Sequence, residues 1–137
     1  MKVGVIGLGD MGSGLALNLV KAGFQTTGYD LDRKRLDAFA KMGGQPTASA
    51  AEVGRHSDAV FVMVMTGDQA RSVVLGENGI AAAMDSGSVI LLTATIPPAN
   101  VVEIAAALEG MGIDFIDTPV SGGFHGAQGG TRRPPHR

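Results

Sequence analysis

One glycine-rich run near the start of the chain constrains the fold more than any other stretch; it consists of Gly7, Leu8, Gly9, Asp10, Met11 and Gly12. It follows an apolar run at residues 2–6, typical of a buried strand, and precedes a helical run at residues 13–22. A strand before the glycines and a helix after them are what the dinucleotide-binding fingerprint requires. The first glycine permits a tight turn, the second leaves room for a diphosphate, and the third lets the helix approach its strand. The N–H groups at the helix start would then hold the phosphates.

An acidic residue, Asp30, ends the second predicted strand at residues 25–29, at about the distance beyond the glycines where the fingerprint places its acid. A carboxylate there can accept hydrogen bonds from both hydroxyls of the adenosine ribose and would repel a 2′-phosphate. An ordinary strand-end or helix-capping role is the alternative for Asp30. Arg33, Lys34 and Arg35 follow closely, so the sequence favours NAD and leaves NADP open.

Composition narrows the class of protein. The chain has 137 residues, which suits one domain, and its 45% hydrophobic and 18% charged residues are typical of a soluble globular protein. A net charge of −2 gives no electrostatic reason to expect nucleic acid or anionic membranes as partners. The absence of cysteine excludes disulfides and thiolate chemistry, and His56 and His136 lack metal-ligand spacing. Without a membrane-length apolar run or a cleavable leader, we expect a cytoplasmic domain with no metal.

Strands and helices alternate along the chain. The nearly all-apolar run at residues 58–65 is typical of a strand covered on both faces. Residues 88–92 are predicted as the next buried strand and residues 113–117 as the last strand. Amphipathic or capped runs between them predict helices. This alternation predicts an α/β fold with a doubly wound parallel sheet, in which the loops after the strands face one crevice.

Two of the predicted helices carry specific expectations. Ser49 should cap the helix that follows it, with Glu52 completing a capping box. Pro97 and Pro98 suit the first turn of a later helix. The inner face of that later helix is predicted to contain Val101, Val102, Ile104, Ala105 and Leu108.

The most specific stretch follows the last predicted strand. It begins at Asp117 with a proline-led loop, continues through Ser121, Gly122 and Gly123, and remains glycine-rich as far as Thr131. Such a hydroxyl group beside bare backbone can hold a small anion such as a carboxylate. Taken alone, the stretch could equally be a glycine-rich turn.

This stretch and the run at residues 5–12 together resemble the β-hydroxyacid dehydrogenase family over residues 2 to 131. That family includes 3-hydroxyisobutyrate dehydrogenase, tartronate semialdehyde reductase, threonate dehydrogenase and, more distantly, 6-phosphogluconate dehydrogenase. The resemblance implies hydride transfer between a nicotinamide cofactor and a small 3-hydroxy acid. It also implies an NAD(P)-binding domain at residues 1–131, a non-family tail at residues 132–137, and no second helical domain.

The resemblance assigns roles around the cofactor. Residues 8–11 would contact the pyrophosphate and Asp30 the ribose. The loop at Met65 and Thr66 would lie against the adenosine side, and Thr95 matches a family Ser/Thr that contacts the nicotinamide half.

The resemblance also assigns a substrate segment. Ser121, Gly122 and Gly123 match the residues that bind the substrate's carboxylate. Leu92 and Ala94 stand where many members have Asp and Ser, which leaves the substrate class open.

No catalytic residue is expected within this chain. Family members carry a catalytic lysine on a helix beyond the position of Thr131, whereas the lysines here all lie in early strand or helix segments. His125 is interpreted as a surface-loop histidine. We therefore expect cofactor binding without appreciable turnover, and interpret the basic, proline-rich tail as a frameshifted or truncated end. An exposed face meant for a missing domain would favour homo-oligomers. An imine reductase-like enzyme domain and a non-catalytic nucleotide-binding or assembly module are the alternatives.

Overall fold

The computed structural model describes residues 1–64, 66–93 and 96–117. In these ranges the strands are β1 (Lys2–Ile6), β2 (Gln25–Tyr29), β3 (Gln45–Pro46), β4 (Ala59–Val62), β5 (Val89–Leu92) and β6 (Asp114–Asp117). The α-helices are α1 (Asp10–Lys21), α2 (Arg33–Lys41), α3 (Ala50–Arg55), α4 (Gly67–Leu75) and α5 (Pro98–Glu109), with a short 3₁₀ helix at Ala81–Ala83.

All the paired strands run parallel in one sheet, in the order β3-β2-β1-β4-β5-β6. The chain moves outward from β1 to β3 and then returns to place β4 on the other side of β1. The strand order therefore reverses between β1 and β4, and ligands of doubly wound sheets bind at the carboxyl ends of the strands at such a point. The predicted fold class is confirmed.

The sheet packs a hydrophobic core on each face. Neighbouring residues of a strand point to opposite faces, and Val5 and Ile6 of β1 accordingly belong to different buried clusters. Ile6 packs in the larger cluster, with side chains of α3, α4 and α5. Val5 packs in the smaller one, with Leu8, Ala16 and Phe39. This smaller cluster fixes α1 and α2 beside the carboxyl ends of β1 and β2.

The inner face of α5 differs from the prediction at one position. Ile104 and Leu108 are fully buried, and Val101 and Ala105 are partly buried, but Val102 is 67% exposed. Two residues along a helix correspond to a rotation of about 200°, so Val102 lies opposite Ile104. Placing Val102 on the inner face was wrong.

Ser49 caps α3 as predicted, but the predicted capping box with Glu52 is not formed. The Ser49 hydroxyl accepts a hydrogen bond from the Glu52 N–H at 3.3 Å. The Glu52 carboxylate, however, accepts from the N–H of Ala48 at 3.0 Å, one residue before the cap. In the described residues, no helix is long and apolar enough to cross a bilayer.

Candidate functional site

The turn between β1 and α1 requires glycine at two positions. Gly7 has a φ of +93°, which side-chain-bearing residues rarely adopt, and a Cβ there would overlap the carbonyl oxygen of Met63. A Cβ at Gly12 would overlap the carbonyl oxygen of Gly7. At Gly7 the main chain packs against the main chain of Met63, and at Gly12 it packs against that of Gly7. The start of α1 therefore lies directly against the end of β1.

Gly9 is different, because the packing of the described residues does not require a glycine there. Among the described residues, the heavy atom nearest to a Cβ built on Gly9 is Nη1 of Arg35, 3.8 Å away, which is ordinary van der Waals contact. Gly9 has no strained φ and lines the large cleft at the carboxyl edge of the sheet. Its bare backbone thus leaves space on the side where a ligand would approach.

The first turn of α1 begins without a cap. Gly9 is the N-cap residue and has no side chain to accept a hydrogen bond. The helical ladder starts with the Ser13 N–H donating to the Gly9 carbonyl at 2.7 Å. The N–H groups of Asp10, Met11 and Gly12 come before this bond and have no acceptor within the helix. They are the donors that an anion at a helix N-terminus uses.

Asp30 lies at the end of β2 and fastens the glycine-rich turn. Its Oδ2 accepts from the N–H of Leu8 at 2.6 Å, and its Oδ1 accepts from the N–H of Asp32 at 2.8 Å. The side chain is 9% exposed and lines the cleft. A carboxylate has about four acceptor positions, so each oxygen can still accept one more hydrogen bond. The capping role goes to Asp32 instead, which accepts from the Lys34 N–H at 2.9 Å.

Leu8 anchors the glycine-rich turn to the hydrophobic core. Its side chain is 1% exposed and lies in the smaller core cluster. Its N–H is bound to Asp30, and its carbonyl accepts from the Ser13 hydroxyl at 2.8 Å. Leu8 therefore connects the core, the acid and the helix start.

A reciprocal pair of hydrogen bonds caps the helix start in the turn between β4 and α4. The Thr66 hydroxyl accepts from the Gln69 N–H at 3.1 Å, and the Gln69 side chain accepts from the Thr66 N–H at 3.2 Å. Thr66 is not among the described residues that line the cleft, whereas Asp68 and Gln69 are. The sequence interpretation had missed these two; the signal for them is their place in the first turn after a central strand.

The cleft has a volume of about 1300 Å³. Pockets of roughly 300–1,000 Å³ hold drug-sized ligands, so a dinucleotide fits. Residues from successive strand ends and helix starts line it, among them Gly9, Asp30, Ser49, Met63, Gln69 and Thr93.

Several predicted site residues lie outside the described residues: Met65, Thr95, Ser121, Gly122 and Gly123. Ala94, His125 and the tail at residues 132–137 lie outside them as well. Within the described ranges, no cluster of three or more His, Cys, Asp or Glu could hold a metal ion.

Asp117 ends β6 at the same edge of the sheet. Desolvation by burial raises the pKa of its carboxyl group. Its buried Oδ1 has no hydrogen-bond partner among the described residues. This side chain is therefore held where its charged form is disfavoured.

Known proteins match this chain along most of its length. A family model described as the NAD binding domain of 6-phosphogluconate dehydrogenase matches residues 2–132. An L-threonate dehydrogenase from Cupriavidus necator is 42% identical over 128 residues, covering 93% of this chain and 43% of the relative. The crystal structure of 3-hydroxyisobutyrate dehydrogenase from Salmonella typhimurium is 37% identical with a TM-score of 0.85, covering 94% of this chain and 45% of that one.

The chain thus spans less than half the length of these relatives. An imine reductase from Myxococcus stipitatus in complex with NADP⁺ has a TM-score of 0.77 at 23% identity, covering 85% of this chain and 40% of its own. That likeness shows the shared fold alone.

Proposed function

Since this chain belongs to the family of the NAD-binding domain of 6-phosphogluconate dehydrogenase, we propose that its cleft holds NAD for hydride transfer to or from a small 3-hydroxy acid. The chain corresponds to the cofactor-binding part of its relatives. The L-threonate and 3-hydroxyisobutyrate dehydrogenases among them support a small hydroxy acid as the substrate class.

The cofactor's diphosphate lies over Gly9, on the first-turn N–H groups of Asp10, Met11 and Gly12. The observation that carries this placement is the open space at Gly9 combined with the uncapped start of α1. Asp30 accepts the adenosine ribose hydroxyls on the lone pairs that Leu8 and Asp32 leave free. Gly7 permits the tight turn and Leu8 anchors that turn to the core.

The remaining predicted contacts complete the site. The family resemblance assigns Met65 and Thr66 to the adenosine side of the cofactor and Thr95 to the nicotinamide side, and we propose these contacts on that ground. Ser121, Gly122 and Gly123 bind the substrate's carboxylate. Cytoplasmic location and homo-association stay predictions.

We propose that the chain binds cofactor without appreciable turnover. Oxidation of an alcohol by hydride transfer to NAD needs a group that takes the hydroxyl proton. The chain's lysines are Lys2, Lys21, Lys34 and Lys41, and none is among the described residues that line the cleft. Bound NAD can accept the hydride, but the described residues of the cleft include no lysine that could take the hydroxyl proton.

The test is a titration of the purified chain with NADH, followed by the cofactor's fluorescence, alongside the variant Gly9→Asp. An aspartate at this position would cap the first-turn N–H groups and place a negative charge against the diphosphate. We expect the parent to bind and the variant to bind at least about tenfold more weakly, a difference of about 1.4 kcal/mol.

Thermal unfolding serves as the control, because an N-cap aspartate should preserve or raise stability. The proposed cofactor site would be contradicted if the parent chain does not bind NADH, or if the Gly9→Asp variant binds NADH with unchanged affinity. Measurable NAD reduction by the purified chain with 3-hydroxyisobutyrate or L-threonate would contradict the absence of turnover alone.

A further inference from the structure

A cationic side chain lies at the ribose end of the cleft. Nη1 of Arg35 is 3.6 Å from Oδ2 of Asp30, and Nε of Arg35 is 3.9 Å from Oδ2 of Asp32. The same Nη1 is the heavy atom nearest to the space above Gly9. Arg35 lines the cleft and its side chain is 52% exposed.

Asp32 uses its two oxygens for different purposes. Oδ1 accepts from the Lys34 N–H at 2.9 Å and caps α2, whereas Oδ2 faces Arg35. The cap needs an acceptor oxygen, which a neutral asparagine or serine also provides. The attraction to Arg35 needs the negative charge. The two purposes can therefore be separated by a neutral substitution.

The charged residues at the ribose end of the cleft affect an unmodified ribose and a 2′-phosphorylated ribose differently. Of the charged residues at positions 30–35, Asp30, Asp32 and Arg35 are the ones that line the described cleft, and two negative charges against one positive charge leave that group net negative. An unmodified ribose presents only hydroxyls to Asp30. A 2′-phosphate would meet the repulsion of both carboxylates and would find the Arg35 guanidinium already shared between them.

We propose that Asp32 is a specificity-determining residue of the cofactor site, which favours NAD by holding Arg35 against Asp30 and so withholding it from a 2′-phosphate. This inference rests on the proposed function, because it takes the ribose to lie at Asp30. Neutralising Asp32 removes one of the two carboxylates that hold Arg35 and leaves it beside Asp30 alone, so its fork of N–H donors turns more readily toward a phosphate, the geometry that guanidinium groups recognise.

The experiment measures the dissociation constants of NADH and NADPH for the parent chain and for Asp32→Asn. We expect the NADPH affinity of the variant to rise by roughly threefold to fivefold, the range of an exposed ion pair, with NADH affinity nearly constant. Asp32→Ser, which also retains a capping oxygen, repeats the measurement with a different side chain. Asp37→Asn is the matched control, because it removes an equal charge from an exposed position of α2.

The double variant Asp32→Asn/Arg35→Gln separates the release of Arg35 from a simple loss of negative charge. If Arg35 carries the effect, the gain in NADPH affinity disappears in the double variant relative to Arg35→Gln alone. A gain that persists without Arg35, or one equalled by Asp37→Asn, would overturn the inference.

The result also distinguishes this inference from the proposed function. A parent chain that binds neither nucleotide overturns both. A parent that binds NADH while Asp32→Asn and Asp32→Ser keep its preference between the two nucleotides overturns the role of Asp32 alone.

Discussion

The starts of α1 and α4 occupy equivalent places and are built differently. Each follows one of the two adjacent central strands, β1 and β4, and each has an extended N-cap residue, Gly9 and Thr66 respectively. Gly9 offers no side chain to the helix that follows it. Thr66 and Gln69 satisfy each other through a reciprocal capping box.

The difference lies in how many N–H groups at each helix start are already hydrogen-bonded within the chain. At α4 the capping box occupies the N–H groups of Thr66 and Gln69, so an anion could use those two donors only by displacing the box. At α1 the donors are kept free, and the main chain of Gly7 and Gly12 fixes their direction. Helix dipoles favour an anion at either start, so the dipole alone does not distinguish the two helices. The two helices differ in their caps, because α4 has a side-chain cap and α1 has none.

The largest expected effect comes from Gly12→Ala, compared with Gly9→Ala. The new methyl at residue 12 must overlap the Gly7 carbonyl, which belongs to rigid main chain, whereas the methyl at residue 9 has room. We expect Gly12→Ala to lower the free energy of unfolding by about 3 kcal/mol and Gly9→Ala by less than about 1 kcal/mol. Chemical denaturation measures both. Equal losses would show that the two glycines do not serve separate purposes.

Thr66→Ala tests the other helix start. Loss of the cap leaves a first-turn N–H without its partner, and we expect a loss of about 1 kcal/mol in the free energy of unfolding. Thr66→Ser keeps the hydroxyl and is the matched control, expected to lose much less. If the alanine variant unfolds at the same denaturant concentration as the serine variant, the capping box does not stabilise α4.

The smallest effect concerns Asp117, whose partial burial contrasts with the well-bonded Asp30. Because folding raises the pKa of Asp117, the folded state holds its proton more tightly than the unfolded state. Stability therefore falls as the pH rises from the unfolded value, about 3.9, through the raised value, and stays lowered above it.

Asp117→Asn removes this pH-dependent loss. We expect the variant to be more stable than the parent at pH 7 and to lose that advantage near pH 3, where the carboxyl is protonated in both states. Melting temperatures of both proteins across this range are the measurement. A difference that does not change with pH would count against the raised pKa.

Local sequence patterns were sufficient for the fold and for the cofactor class. The glycine-rich run between an apolar strand and a helix, with Asp30 ending the next strand, predicted the parallel sheet and the NAD-binding turn. The fold is confirmed by the strand order, and the cofactor class by the family match. These features were readable because they depend on backbone freedom and hydrophobic periodicity, which neighbouring residues decide.

Other features depend on contacts between distant segments. The sequence could not reveal that Asp30 fastens the N–H of Leu8, that Arg35 lies above Gly9, or that Gly12 meets the Gly7 carbonyl. Its pattern also placed Val102 inside, where the direction of α5 against the sheet leaves it exposed. Residue spacing determined which groups could serve the cleft. Only tertiary packing decided which of their donors and charges are left free for a ligand, because those depend on what each group already binds.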